Sequence, residues 1–350
     1  MSLNCPMLIN SLKDSIPVDI PRRSPATQSV SRGVRPSLFE FVQGNVMGPT
    51  LRQRMEEALK SLDESDPVLA EMLLLAAYVH FCRTPLSMDM TIGYWSSRIS
   101  THEEIYAQIK AVGALLSEYE GDLADTDQDY FAARSLLAAE SVMAAASGRR
   151  LGTMLSRFHA NVSHTRIVAY YVFKRRAYDS KLFGRAFPDV ATGLELYDDI
   201  YARDPSPYTL QQKALYLAAR KRYSEAFEVM DRALSTAHRS NWTIRSSYAQ
   251  VLFQANEELA GVRPAVRELL DRAMGILTEC YQSDRRRSMH AVTYSTLAMR
   301  YASIFSDDAA ASYLKQADVW LAEVVRDEPW VRGARYLQRD VRSRLRDLAE

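Results

Sequence analysis

The chain has few cysteines, no membrane-length apolar run and almost no net charge. Cys5, Cys82 and Cys280 are scattered, with no CxxC pair. That argues against a disulfide framework or a zinc site and for a reducing cytoplasm. No stretch reaches the ~20 consecutive apolar residues that a bilayer requires. The first residues lack the apolar centre of a signal peptide. The 44 Lys and Arg stand against 43 Asp and Glu, a net charge of +1. No overall field therefore draws the protein to nucleic acid or membrane.

Catalytic signatures are missing too. The sequence contains no GxSxG, no HExxH and no CxxC. His159 and His164 are five apart, not four, and have no adjacent Glu. Asp122, Asp125, Asp127 and Asp129 share only their sign with a calcium loop, because the loop glycine is misplaced and the closing Glu is absent. The sequence therefore assigns no catalytic, cofactor-binding or metal-binding residue, and predicts no enzymatic activity. A site assembled in space from several helices stays open as the enzymatic alternative.

Strand signals are rare and long stretches follow the helical period, so the predicted fold is mainly α. Within it, the same spacing of small and large apolar residues is written twice. The first copy is Ala214, Leu217, Tyr223, Ala226, Met230 and Ala233, and the second is Leu297, Ala298, Tyr301, Ala310, Leu314 and Ala317. Counted from Pro207 and Ala291, alanines fall at places 8, 20 and 27, and large apolar residues at 11 and 24. This is the spacing of the tetratricopeptide (TPR) unit of about 34 residues. Its reason is physical: alanine at a helix crossing lets two backbones approach, and each unit covers the apolar face of the next. A looser copy lies between them, with Trp242, Tyr248, Ala249 and Leu252, then Val266, Leu270 and Ala273. It carries about five extra residues around Glu258–Val262. Leu194–Tyr201, stopped by Asp204-Pro205, reads as the second helix of a further unit. Residues 317–350 read as capping helices with an arginine-rich outer face: Arg335, Arg339, Arg342 and Arg346.

The N-terminal third has a different texture. Residues 1–35 are rich in Pro, Ser and Arg and read as a linker or disordered segment. Residues 36–65 read as short helices. Residues 66–146 begin with Asp66 capping a helix that has Pro67 at its first position. That helix, Val68–Cys82, is apolar on most sides and should be buried. Short helices follow from Ser87 and from Thr101, the latter with Glu104 completing a capping box. Leu115–Glu120 and Asp129–Ala133 read as a hairpin around an acidic turn, and Leu136–Ala146 as helix. This is the order of a winged-helix domain. Its third helix and acidic tip would be repelled by a DNA duplex, where lysine and arginine must neutralise phosphates.

The buried helix "PVLAEMLLLAAYVHFCRTPLSMDM", the closing helix "DYFAARSLLAAESVM" and the repeats after them resemble the region downstream of the nucleotide-binding domain in STAND-type signalling NTPases. The resemblance covers roughly residues 36–350 and implies a winged-helix-like domain followed by a TPR-like α-α superhelix. It implies a lid-like remnant in 36–65, an NTPase or effector domain near the N-terminus, and a role in bacterial signalling or defence. The chain departs from the family in having no GxxxxGK(S/T) loop, so the cradle for a triphosphate is missing. In that family a histidine of the winged helix often senses the nucleotide, and His80 and His102 are the candidates here. An ordinary helical role is the simpler reading of both.

Two functional surfaces are expected. The concave face, lined by the first helix of each unit, carries Tyr208, Gln211, Leu215 and Ala218, then Thr243, Ser246, Gln250 and Phe253, then Val292, Ser295 and Met299. Polar residues with aromatic anchors suit a protein or peptide partner. Lys174, Arg175 and Arg176 follow Tyr170, Tyr171 and Phe173, while Arg285, Arg286 and Arg287 lie beside Tyr281. Aromatics next to arginines suit single-stranded nucleic acid, and a buried aromatic face with a solvated basic edge is the plainer reading. The leading expectation is a non-enzymatic recognition scaffold. A nucleic-acid-binding regulator is the alternative.

Overall fold

A computed structural model describes residues 51–95, 101–121, 127–237, 241–260, 263–331 and 333–348. The expected linker over 1–35, the start of the 36–65 segment, and Asp122 and Asp125 of the acidic turn lie outside the described residues. The fold is mainly helical. No described helix is long and apolar enough to cross a membrane.

Helix α1 (Leu51–Ser65) turns directly into α2 (Pro67–Phe81). Asp66 makes the break, its carboxylate accepting from the amides of Val68 and Leu69 at 2.9 and 3.3 Å. Such a cap is worth about 1 kcal/mol. Nine residues of α2 are buried, among them Met72, Leu75 and Tyr78, so the helix is enclosed on nearly all sides, as its composition predicts. Short strand β1 (Leu86–Ser87), α3 (Met88–Trp95) and α4 (His102–Val112) follow, then β2 (Leu116–Glu118), β3 (Tyr130–Ala133) and α5 (Leu136–Ala145). The Thr101–Glu104 capping box is present. The sheet order is β1-β3-β2, all antiparallel, with Leu86 opposite Phe131 and Leu116 opposite Ala133. Strand β1 completes the sheet beside the predicted hairpin. Helix α1 packs on α2 and α5, and Met55 and Leu59 join their core. Residues 51–65 are thus built into the same unit as 66–146.

The core does not stop at residue 146. Helices α6 (Gly148–Asn161), α7 (Tyr170–Ala177), α8 (Ser180–Ala186) and α9 (Val190–Arg203) contribute Leu155, Phe158, Phe173, Phe183 and Tyr197 to the cluster that holds α2. Gly152 lets α6 meet α8, since a Cβ there would lie 2.6 Å from the Ala186 carbonyl oxygen.

From residue 207 onward the chain is a row of antiparallel helix pairs. These are α10 (Pro207–Ala219) with α11 (Tyr223–Thr236), α12 (Trp242–Asn256) with α13 (Pro264–Ser283), and α14 (Arg287–Ile304) with α15 (Asp308–Asp327). Helix α16 (Ala334–Asp347) closes the row. The pairs are the tightest contacts, and each pair packs on the next. Ala214, Ala226, Ala233, Ala249, Ala273, Ala298, Ala310 and Ala317 are all 0% exposed. Where the middle unit carries its extra residues, Glu257–Leu259 is a short 3₁₀ turn. Side chains tie neighbouring pairs together. Tyr301 and Tyr313 both donate to Asp271 at 2.9 Å, and Gln211 donates to the Thr243 carbonyl and the Ser247 hydroxyl.

Candidate recognition surfaces

The expected partner face divides into accessible and inaccessible positions. Tyr208 is 50% exposed, and Leu215, Gln250 and Met299 are half-buried. Gln211, Ser246, Phe253 and Ser295 are buried, so their expected role as direct partner contacts is corrected. The cause is helical phase. Gln211 lies three residues before Ala214, Ser246 three before Ala249, Phe253 four after Ala249, and Ser295 three before Ala298. Residues three or four apart share a helix face, so these side chains point into the crossing that the alanine keeps tight. Leu215, Gln250 and Met299 each follow a spacer alanine by one residue and turn about 100° away from it. Gln211 is engaged with α12, and Phe253 lies under the Arg300 guanidinium in the core. Met289, 39% exposed, adds a second methionine to the accessible stripe on α14.

A concavity opens between the second helices of the first two pairs. A groove of about 770 Å³ runs between α11 and α13. Asp231 and Leu234 line one wall, Arg272, Gly275, Ile276 and Glu279 the other, and Asn241, just before α12, with Arg245 and Tyr248 of α12 the floor. Arg245 is held by Glu279 at 2.7 Å and by the Trp242 ring at 5.0 Å. Repeat spacing located the helices but not this groove. Its one sequence signal is Gly275, a helix-weakening residue in the middle of α13. A Cβ added to Gly275 would meet nothing within 4 Å, so no packing requires glycine. Gly275→Ala is expected to stabilise the chain by about 1 kcal/mol, read from paired urea melts.

The basic clusters are largely engaged within the fold. Lys174 pairs with Asp204 at 3.1 Å, and Arg176 reaches Glu140 and the Phe81 carbonyl. Arg286 donates to Thr243 at 2.8 Å, and Arg287 covers the Tyr281 ring. Arg175 lies over the exposed Tyr171, and Arg285 is exposed. Of the aromatics in this segment Phe173 is buried, Tyr170 half-buried and Tyr171 exposed.

A polar nest sits inside the N-terminal core, where α2 meets α6, α7 and α9. The Tyr78 hydroxyl and His159 Nε2 are 3.0 Å apart, and Arg203 donates to the His159 carbonyl. Tyr170 donates to Asp204 at 2.8 Å and accepts from Tyr178 at 2.6 Å. Burial pushes the phenols up and lowers His159 to about 3, with the Arg203 cation assisting. The adjoining cavity of about 30 Å³ has room for a water molecule or two. The polar atoms named here bind one another, so the arrangement serves to lock α2, α6, α7 and α9 together. His80 is half-buried and lowered by that burial, and His102 is exposed at the start of α4. Cys82 and Cys280 are buried, which raises both thiols. No group of three or more His, Cys, Asp or Glu is placed to hold a metal among the described residues.

Comparison of the chain with protein-family models, with curated proteins and with solved structures finds no match.

Proposed function

We propose that the chain is a non-enzymatic protein-recognition scaffold, the sensor or adaptor module of a STAND-like bacterial signalling or defence system. On this reading, a winged-helix-like unit leads into a TPR-like superhelix, and a nucleotide-binding or effector domain is engaged on the N-terminal side. The order α2-β1-α3-α4-β2-β3-α5 is compatible with the first element. The observation that supports the reading most is the complete burial of the spacer alanines at the helix crossings. Helix pairs held this way expose one continuous face made from their first helices. In this chain that face carries Tyr208, Leu215, Gln250, Met289 and Met299, aromatic and methionine anchors among polar groups. The nucleic-acid alternative draws less support, because Lys174, Arg176 and Arg286 already have partners within the fold.

The test is a titration of whichever protein partner cross-links to the full chain in cell extract. Tyr208→Ala is expected to weaken that partner by about 30-fold, the effect of a hot spot worth about 2 kcal/mol. Equal affinity for wild type and for a Tyr208→Ala, Met299→Ala double variant, with unchanged circular dichroism, would remove the face from the proposal.

A further inference from the structure

The groove between α11 and α13 is a second surface, and its chemistry differs from that of the first. We infer that it binds a peptide segment of another protein, one that carries a single acidic side chain beside a bulky apolar one. Three observations converge on that ligand.

The groove is open and its lining is partly apolar. Leu234, Tyr248 and Ile276 are half-buried there, so each offers apolar surface that a partner side chain would cover. Charge then sets the polarity. Arg245 has Glu279, but no described carboxylate pairs with the exposed Arg272. A guanidinium in this position takes a carboxylate from outside, in the planar two-pronged geometry that suits it. Asp231 on the facing wall repels a second carboxylate, which fixes the ligand to one acidic residue and gives it a direction. Finally, Arg272, Gly275, Ile276 and Glu279 follow the i, i+3, i+4, i+7 stripe of one helix face. Within that stripe Gly275 leaves a gap where any side chain would project into the groove. The helix forgoes an alanine that would strengthen it, and nothing inside the protein demands the space. An occupant does.

The experiment selects short random peptides on the full chain by phage display, with counter-selection on Gly275→Trp. Enriched sequences should share one Asp or Glu next to Leu, Ile, Phe or Tyr. Synthetic copies should lose at least about tenfold in affinity to Arg272→Glu and to Gly275→Trp. Tyr208→Ala, which does not line the groove, should leave their binding unchanged. Arg272 is exposed, so Arg272→Glu carries the test if Gly275→Trp melts early. The inference is overturned if no sequence is enriched over the counter-selection, or if the enriched peptides bind Arg272→Glu within about twofold of wild type. It is equally overturned if Tyr208→Ala abolishes their binding. The Tyr208 face and this groove thus succeed or fail separately.

Discussion

Ala226→Leu is expected to destabilise the chain by about 1–3 kcal/mol. Ala226 is 0% exposed on α11, in a cluster with Leu210, Ala214, Leu217 and Met230, where the first helix pair closes. Leucine adds three heavy atoms to a space that the opposing backbone already fills. The helix must then move out or the leucine must leave its preferred rotamer. Both responses lose contacts along the whole crossing, since protein interiors are packed like crystals. Leucine is about as good a helix former as alanine, so propensity contributes little to the loss.

Two comparisons isolate the cause. Ala219→Leu lies on the exposed end of α10 and should change stability by less than about 0.5 kcal/mol. Ala310→Leu, at the equivalent crossing of the third pair and likewise 0% exposed, should cost as much as Ala226→Leu. Because each pair touches chiefly its neighbours, amide exchange should rise locally: around α10–α12 for Ala226→Leu, and around α14–α16 for Ala310→Leu. Urea melts with equal midpoints for Ala226→Leu and Ala219→Leu would mean that the alanines are not spacers, and the scaffold reading would lose its foundation.

Local chemistry made much of this architecture legible. Asp66-Pro67 and the Thr101–Glu104 box mark helix starts because a side chain must satisfy the amides left free there. The alanine spacing reports close helix approach because only a small residue permits it. What was not legible depends on distant partners. Leu86-Ser87 is too short to show alternation and is a strand only because Tyr130 and Phe131 lie beside it. The size of Phe253 suggests an anchor, although its distance of four residues from Ala249 places it on the buried face. The groove arises from the separation of α11 and α13 across α12, an angle between elements that no local spacing encodes. The continuity of the core past residue 146 has the same origin, since α6–α9 are bound to α2 by rings far apart in sequence, such as Tyr78 against Phe158 and Phe173.

Acid should open the protein at that same junction. His159 has a pKa of about 3 in the folded chain, because burial disfavours its cation and Arg203 adds a like charge. In the unfolded chain a histidine titrates near 6.5. The unfolded state therefore takes up the proton first, so stability is complete above about pH 6.5 and falls as the pH drops towards 3. The slope for one such group is about 1.4 kcal/mol per pH unit, which makes the loss at pH 5 about 2 kcal/mol. The groups facing the ring or its cavity are Tyr78 from α2, Arg203 and Asp204 at the end of α9, and Tyr170, Tyr178 and His164 around α7. Asp204 is already shared between Tyr170 and Lys174, so it is poorly placed to rescue an imidazolium. His159→Gln keeps a polar side chain near Tyr78 but cannot take up the proton. Urea melts at pH 7 and pH 5 should therefore show a drop about 2 kcal/mol smaller for His159→Gln than for wild type, whatever the starting stability of each. His80 is also lowered by burial and contributes in the same direction to both chains, so it cancels in that difference. Parallel losses in the two chains would show that the proton goes elsewhere. A smaller loss in His159→Gln, with exchange rising first in α6, α7 and α9, would locate the acid-sensitive seam between α2 and α6–α9.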